Sequence, residues 1–93
     1  MDCMVYLLQC RDGTYYCGWT NDLEKRLNAH NAGTASKYTR KRRPVRLIYT
    51  EKHLNRSECQ KREYAIKQLS RAEKEQLIES NSRLENPKKQ GLK

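Results

Sequence analysis

The sequence predicts an α/β domain of the α+β kind: a small three-stranded, mainly antiparallel sheet flanked by helices, in the order β-β-α-β-α-α. Three observations predict it. Two β-rich runs flank a tight turn at Arg11-Asp12-Gly13. Three later segments open on a polar cap with Glu or Gln three residues further on. A third β-rich run separates the first of these segments from the other two. The chain has 93 residues, enough for one small domain with a limited core.

The elements follow in order. Strand one is expected over Met4 to Gln9 and strand two over Tyr15 to Trp19, so the hairpin sets the two strands side by side and lets Tyr6 and Tyr16 come close in space. A phenol buries its ring and keeps a hydroxyl for a polar partner, so the pair suits a water or a phosphate oxygen. Tyrosine is also simply favoured in strands, and the hairpin alone does not choose between these readings. Asn21 reads as the cap of the first helix, with Glu24 completing a capping box and Gly33 as the stop after His30 or Asn31. Leu23 and Leu27 mark the buried stripe, and Arg26 and His30 fall on or beside it. An Arg there pairs with an anion or snorkels out. A lone His there reads more simply as a satisfied structural residue. The third strand runs from Val45 to Glu51, with Leu47 and Tyr49 alternating with Ile48.

Ser57-Glu58-Cys59-Gln60 starts the next helix, which continues through Leu69. Its apolar stripe is Cys59, Ile66 and Leu69, and Glu63 points with them. Glutamate is rarely buried unless paired or bound to a metal, and a salt bridge to a neighbouring Lys or Arg is the simpler account. Ser70-Arg71-Ala72-Glu73 caps a last helix to Glu79, anchored by Leu77 and Ile78. The domain therefore spans residues 1–79. Residues 80–93 carry little to bury and are expected to be a disordered polar tail.

The net charge is +9, which points to a polyanionic partner, nucleic acid by default. The excess gathers in Lys37, Arg40, Lys41, Arg42, Arg43 and Arg46, read as phosphate contacts on a loop, with Tyr38 placed to stack on a base. A solvated loop that only confers solubility is the plain alternative. A membrane surface fits less well, because the tract lacks an apolar face. No apolar run is long enough to span a bilayer and no signal peptide is visible, so a cytoplasmic monomer is expected. Cys3, Cys10, Cys17 and Cys59 form no Cys-x-x-Cys pair, which argues against zinc. Cys10 and Cys17 lie near the hairpin and can approach each other. In a reducing compartment all four read as small apolar fillers.

Taken together, Met4-Val5-Tyr6, Tyr16-Cys17-Gly18, the Arg26 and His30 helix and the Glu63 helix resemble the GIY-YIG nuclease family. The likeness is to its small stand-alone bacterial type, itself similar to the catalytic N-terminal domain of the nucleotide-excision-repair endonuclease. Ala35-Ser36-Lys37-Tyr38-Thr39, Arg43-Pro44-Val45-Arg46-Leu47 and Arg62-Glu63-Tyr64-Ala65-Ile66-Lys67 look like that subgroup too. The likeness covers Met4 to Ile78. The short triplets are weak patterns; their ordered combination with the Arg, His and Glu helices is specific. Met4-Val5-Tyr6 keeps only the tyrosine of the first triplet, and Cys17 stands at the centre of the second.

The resemblance implies a divalent-metal-dependent endonuclease that hydrolyses phosphodiesters, DNA more than RNA, with a link to DNA repair; a domain this small has little surface for base readout, so structure-selective or nonspecific cutting is expected. It implies that Glu63 holds one Mg2+ or Mn2+ and that Arg26 clamps a phosphate oxygen. Tyr6 would activate the attacking water once a metal and Arg26 lower its pKa. Tyr16 would hydrogen-bond the phosphate or water, and His30 would relay a proton or position Tyr6. A nucleic-acid-binding module of the same fold without catalysis is the alternative. A protein-interaction domain ranks third, and an unidentified protein partner could supply the targeting of the nuclease.

Overall fold

A computed structural model describes residues 3–85 of the chain. Strand β1 (Cys3–Gln9) is the middle of a three-stranded sheet in the order β2-β1-β3, with β2 at Tyr15–Thr20 and β3 at Arg46–His53. Both pairings are antiparallel, so the sheet is antiparallel throughout. The Asp12-Gly13 turn forms as its residues dictate. Gly13 takes φ +86°, open to glycine without strain, and Asp12 Oδ1 accepts from the Thr14 amide at 3.1 Å. A bulge between Leu7 and Leu8 shifts the β1–β3 register, so that Leu7 faces Tyr49 and Leu8 faces Leu47.

Because β1 is covered on both faces, its alternation feeds two cores. Cys3, Val5 and Leu7 pack with Cys17, Tyr49, Cys59 and Ile66 on one side. Tyr6, Leu8 and Cys10 pack with Val45, and with Leu23 and Leu27, on the other. Helix α1 (Leu23–Ala32) therefore lies on the Tyr6 face, while α3 (Arg56–Lys67) lies on the Val5 face. Leu77 and Ile78 of α4 (Arg71–Glu85) pack against the second of these faces, as the sequence suggested.

Several boundaries move. The α1 cap is Asp22, not Asn21: Asp22 Oδ1 accepts from the Lys25 amide at 3.1 Å. The α3 cap is Asn55, not Ser57, and its Oδ1 takes the Glu58 amide at 2.9 Å. In both places two good capping residues stand close together, and backbone geometry selects between them. The Ser70 capping box forms in both directions, Ser70 N to Glu73 Oε1 at 2.8 Å and Glu73 N to Ser70 Oγ at 3.2 Å. Helix α4 runs to Glu85, past the Glu79 expected. The rest of the expected tail lies outside the described residues. The basic tract is not all loop: Lys37–Arg40 form a short helix, α2, capped by Ser36. The cysteine reading also changes. Cys3 and Cys59 are joined in a disulfide that ties β1 to α3, whereas Cys10 and Cys17 remain free and buried. No helix among the described residues is long and apolar enough to cross a membrane.

Candidate active site

Tyr6 sits in the middle of the central strand and is almost wholly buried, at 2 % exposure. Its β2 partner is Gly18, and the tyrosine ring passes over it. A methyl group added at Gly18 would lie 2.6 Å from the Tyr6 hydroxyl and 2.7 Å from Cζ, so the glycine is the space the phenol occupies. The hydroxyl meets Nε2 of His30 at 2.9 Å. His30 comes from the end of α1, 1 % exposed, and its Nδ1 lies 2.8 Å from the Thr39 hydroxyl. Gly33 closes α1 just beyond it at φ +85°, taking the Ala29 and His30 carbonyls. The Tyr16 ring lies edge-on to His30 with centroids 5.1 Å apart and stacks on Tyr38 at 5.9 Å. The two tyrosines thus converge on one imidazole.

Electrostatics sharpen this cluster. Burial pushes the Tyr6 hydroxyl well above the usual tyrosine range; Tyr16 adds to the effect, and Arg26 pulls the other way. Arg26 thus acts on Tyr6 in the expected direction, and burial is the larger effect of the two. His30 shifts below its ordinary value, first through burial and then through the Arg26 charge. At neutral pH the pair is a neutral phenol against a neutral imidazole. Arg26 itself is exposed rather than core-facing, on the α1 surface beside Asp22 and Lys25.

Glu63 arrives from the opposite side of the sheet, since α3 packs on β2 and β1 through Cys59 and Ile66. Its side chain keeps 22 % exposure and pairs with Lys67 at 3.5 Å, the plain salt bridge that the helical spacing allows. Its charge nevertheless reaches the cluster. It helps burial push the Cys17 thiol up to about 12, and it raises Tyr6 slightly. No group of three or more His, Cys, Asp or Glu that could hold a metal exists among the described residues. A lone, partly exposed carboxylate suits a hard cation that keeps most of its waters and takes phosphate oxygens.

The basic residues divide into two sets. Lys37, Arg40 and Lys41 are exposed, and Arg40 and Lys41 line an open cleft with Arg11 and Arg43. The others are partly committed to the fold. Arg42 donates to Asp12 at 3.1 Å and to the Tyr38 carbonyl at 2.8 Å. Arg43 donates to the Arg40 carbonyl at 2.9 Å, and Arg46 to Gln9 at 2.8 Å. The Arg42 guanidinium also lies 3.8 Å over the Tyr38 ring, whose stacking surface is thus already in use. Two further polar residues carry no sequence mark of a site role. Thr39 is fully buried against His30. Glu51 accepts from Arg62 at 2.8 Å, from His53 at 2.8 Å and from the Tyr49 hydroxyl. Burial acts to raise the Glu51 pKa, but these hydrogen bonds outweigh it and hold the carboxyl below its usual range.

The model of the GIY-YIG catalytic domain matches residues 2–76. The chain belongs to the GIY-YIG family. It therefore carries the catalytic domain of a nuclease family. A UPF0213 protein of Clostridium perfringens is 56% identical over 78 residues, covering 84% of each chain. One from Halobacterium salinarum is 56% identical over 74 residues, covering 80% of this chain and 96% of its own. Among solved structures, the solution structure of a UPF0213 protein from Bacillus halodurans is 43% identical with TM-score 0.56, covering 85% of this chain and 84% of that one. An E. faecalis protein is 49% identical with TM-score 0.61, covering 86% and 85%. The GIY-YIG fold here thus recurs as a stand-alone domain in similar proteins.

Proposed function

We propose that this protein is a divalent-metal-dependent endonuclease, acting on DNA in preference to RNA by structure or without sequence preference. The observation that carries this reading is the buried Tyr6–His30 hydrogen bond, 2.9 Å long, held over Gly18 beside Arg26 and within the field of Glu63. Phosphodiester hydrolysis needs an oriented water, a route for its proton and compensation of the extra negative charge. The Tyr6 hydroxyl takes the water proton while passing its own to His30 Nε2. The lowered pKa of His30 suits this role, because the ring stays neutral and ready to accept at neutral pH. Tyr16 donates its hydroxyl to a phosphate oxygen. Arg26, with its planar fork of donors, holds a nonbridging oxygen. Glu63 would hold one Mg2+ or Mn2+, which supplies Lewis-acid stabilisation of phosphate charge and of the leaving oxygen.

The +9 charge and the exposed Lys37, Arg40 and Lys41 support the nucleic-acid substrate. The test is a panel of single-stranded, double-stranded and branched DNA together with RNA, incubated with magnesium, manganese or chelator. Cutting is expected with either metal and absent with chelator. Binding weakens as salt rises, and reversing the charges of Lys37, Arg40 and Lys41 flattens that salt dependence. Salt-sensitive binding with no cutting of any substrate would instead favour a binding module. Gly18→Ala supplies a separate check on the geometry. The new methyl moves the Tyr6 hydroxyl off His30, so cleavage falls roughly 10²-fold. Overpacking lowers stability by about 1–3 kcal/mol, read by thermal unfolding.

A further inference from the structure

We propose that Thr39 is a positioning residue: its buried hydroxyl fixes His30 as the Nδ1–H tautomer and so leaves Nε2 open to the Tyr6 proton. The inference deepens the reading of this site as a nuclease centre and rests on it for its catalytic consequence. The hydrogen-bond assignment stands on the geometry alone. Thr39 is the inward-facing residue of α2, 0 % exposed, between the exposed Tyr38 and Arg40. Its Oγ1 lies 2.8 Å from His30 Nδ1 and 3.4 Å from the Ser36 carbonyl.

Counting donors decides the tautomer. A neutral imidazole has one N–H, and each hydroxyl has one proton to give. With the proton on Nδ1, every donor has an acceptor: Tyr6 O–H to Nε2, Nδ1–H to Thr39 Oγ1, and Thr39 O–H to the Ser36 carbonyl. That carbonyl also accepts the Arg40 amide at 3.0 Å, within the capacity of its two lone pairs. With the proton on Nε2 instead, His30 donates to Tyr6, and the buried Tyr6 O–H has no acceptor among the described residues. A buried donor without an acceptor is costly, so the first arrangement wins.

The same arrangement serves the proton transfer. Once Nε2 has taken the Tyr6 proton, both ring nitrogens donate, Nε2–H to Tyr6 and Nδ1–H to Thr39. The Thr39 contact therefore does not change between the neutral and charged rings. In the other tautomer Nε2 already carries a proton and cannot accept a second. A hydroxyl nine residues away thus takes the Nδ1 proton and leaves Nε2 facing the tyrosine.

The experiment is long-range proton–nitrogen NMR on 15N-histidine protein. The chain has two histidines, and a His53→Gln variant assigns the spectrum. Wild type is expected to show protonated Nδ1 and unprotonated Nε2 at His30. Thr39→Val shifts the ring toward Nε2–H and lowers cleavage about 10- to 100-fold, part of what a proton-transfer partner contributes. Thr39→Ser restores both. Protonated Nε2 in the wild-type protein would overturn the inference, as would an unchanged tautomer in a folded Thr39→Val protein. If wild type cuts nothing while the tautomer follows Thr39 as described, the hydrogen-bond inference stands and the nuclease reading falls.

Discussion

Tyr6→Phe is expected to reduce cleavage roughly 10³-fold while nucleic-acid binding stays near wild type. The ring, its packing with Leu8 and Val45, and its passage over Gly18 are all kept, so only the hydroxyl is lost. That hydroxyl is where the attacking water would leave its proton, and His30 Nε2, 2.9 Å away, would receive the relayed proton in the proposed mechanism. Stability falls by about 1–3 kcal/mol, because removing the hydroxyl leaves one buried imidazole nitrogen without its partner. The pH dependence follows from the same pair. The relay needs a neutral His30, whose pKa is depressed by burial and by Arg26. Protonation blocks the acceptor only as pH falls through that lowered value. The acid limb of single-turnover cleavage therefore lies below the ordinary histidine value of 6.5. A Tyr6→Phe protein that cuts at the wild-type rate would remove the phenol from the mechanism.

Glu63→Gln is expected to cost roughly 10³-fold or more in cleavage, again with binding retained. The substitution keeps size and shape, turns one acceptor oxygen into an amide donor and removes the negative charge. The salt bridge to Lys67 is long, at 3.5 Å, and half open to solvent on the lysine side, so its loss has a small effect on the fold. Any large effect must then come from chemistry. Removing a carboxylate from a protein of net charge +9 also favours phosphate binding, if it changes binding at all. Loss of cutting with intact or tighter binding is thus a signature that misfolding does not imitate.

Much of this site is readable from the chain because it rests on local rules. The Asp12-Gly13 turn and the period of two place Tyr6 beside the strand that carries Tyr16. The spacing from Leu23 and Leu27 brings His30 inward, where it is 1 % exposed. What escapes the sequence is decided by tertiary contact. Arg26 shares the helical spacing of His30 yet ends up exposed, and spacing alone does not separate the two. The Cys3–Cys59 disulfide joins residues 56 apart with no motif to announce it. Helix α2 is four residues long, too short to show a period, although Ser36 is a capping residue. Thr39 looks like one polar residue in a basic tract until α1 and α2 set it against His30. Tyr6 needs a lowered pKa to act as a free base. Burial acts in the reverse direction, and the 2.9 Å contact with His30 that the proposed relay uses emerges only from the fold. Gly18 reads as part of a short triplet, and its reason emerges only from the phenol lying across it.

The most direct test of the central claim is single-turnover cleavage of a DNA substrate by wild-type and Glu63→Gln protein, each at saturating protein concentration. Magnesium is supplied, removed with chelator and then restored. Wild type is expected to cut, to stop with chelator and to resume with metal, and Glu63→Gln is expected to show no comparable cutting although it binds as well. Equal cutting by the two proteins, or wild-type cutting indifferent to chelator, would contradict that claim.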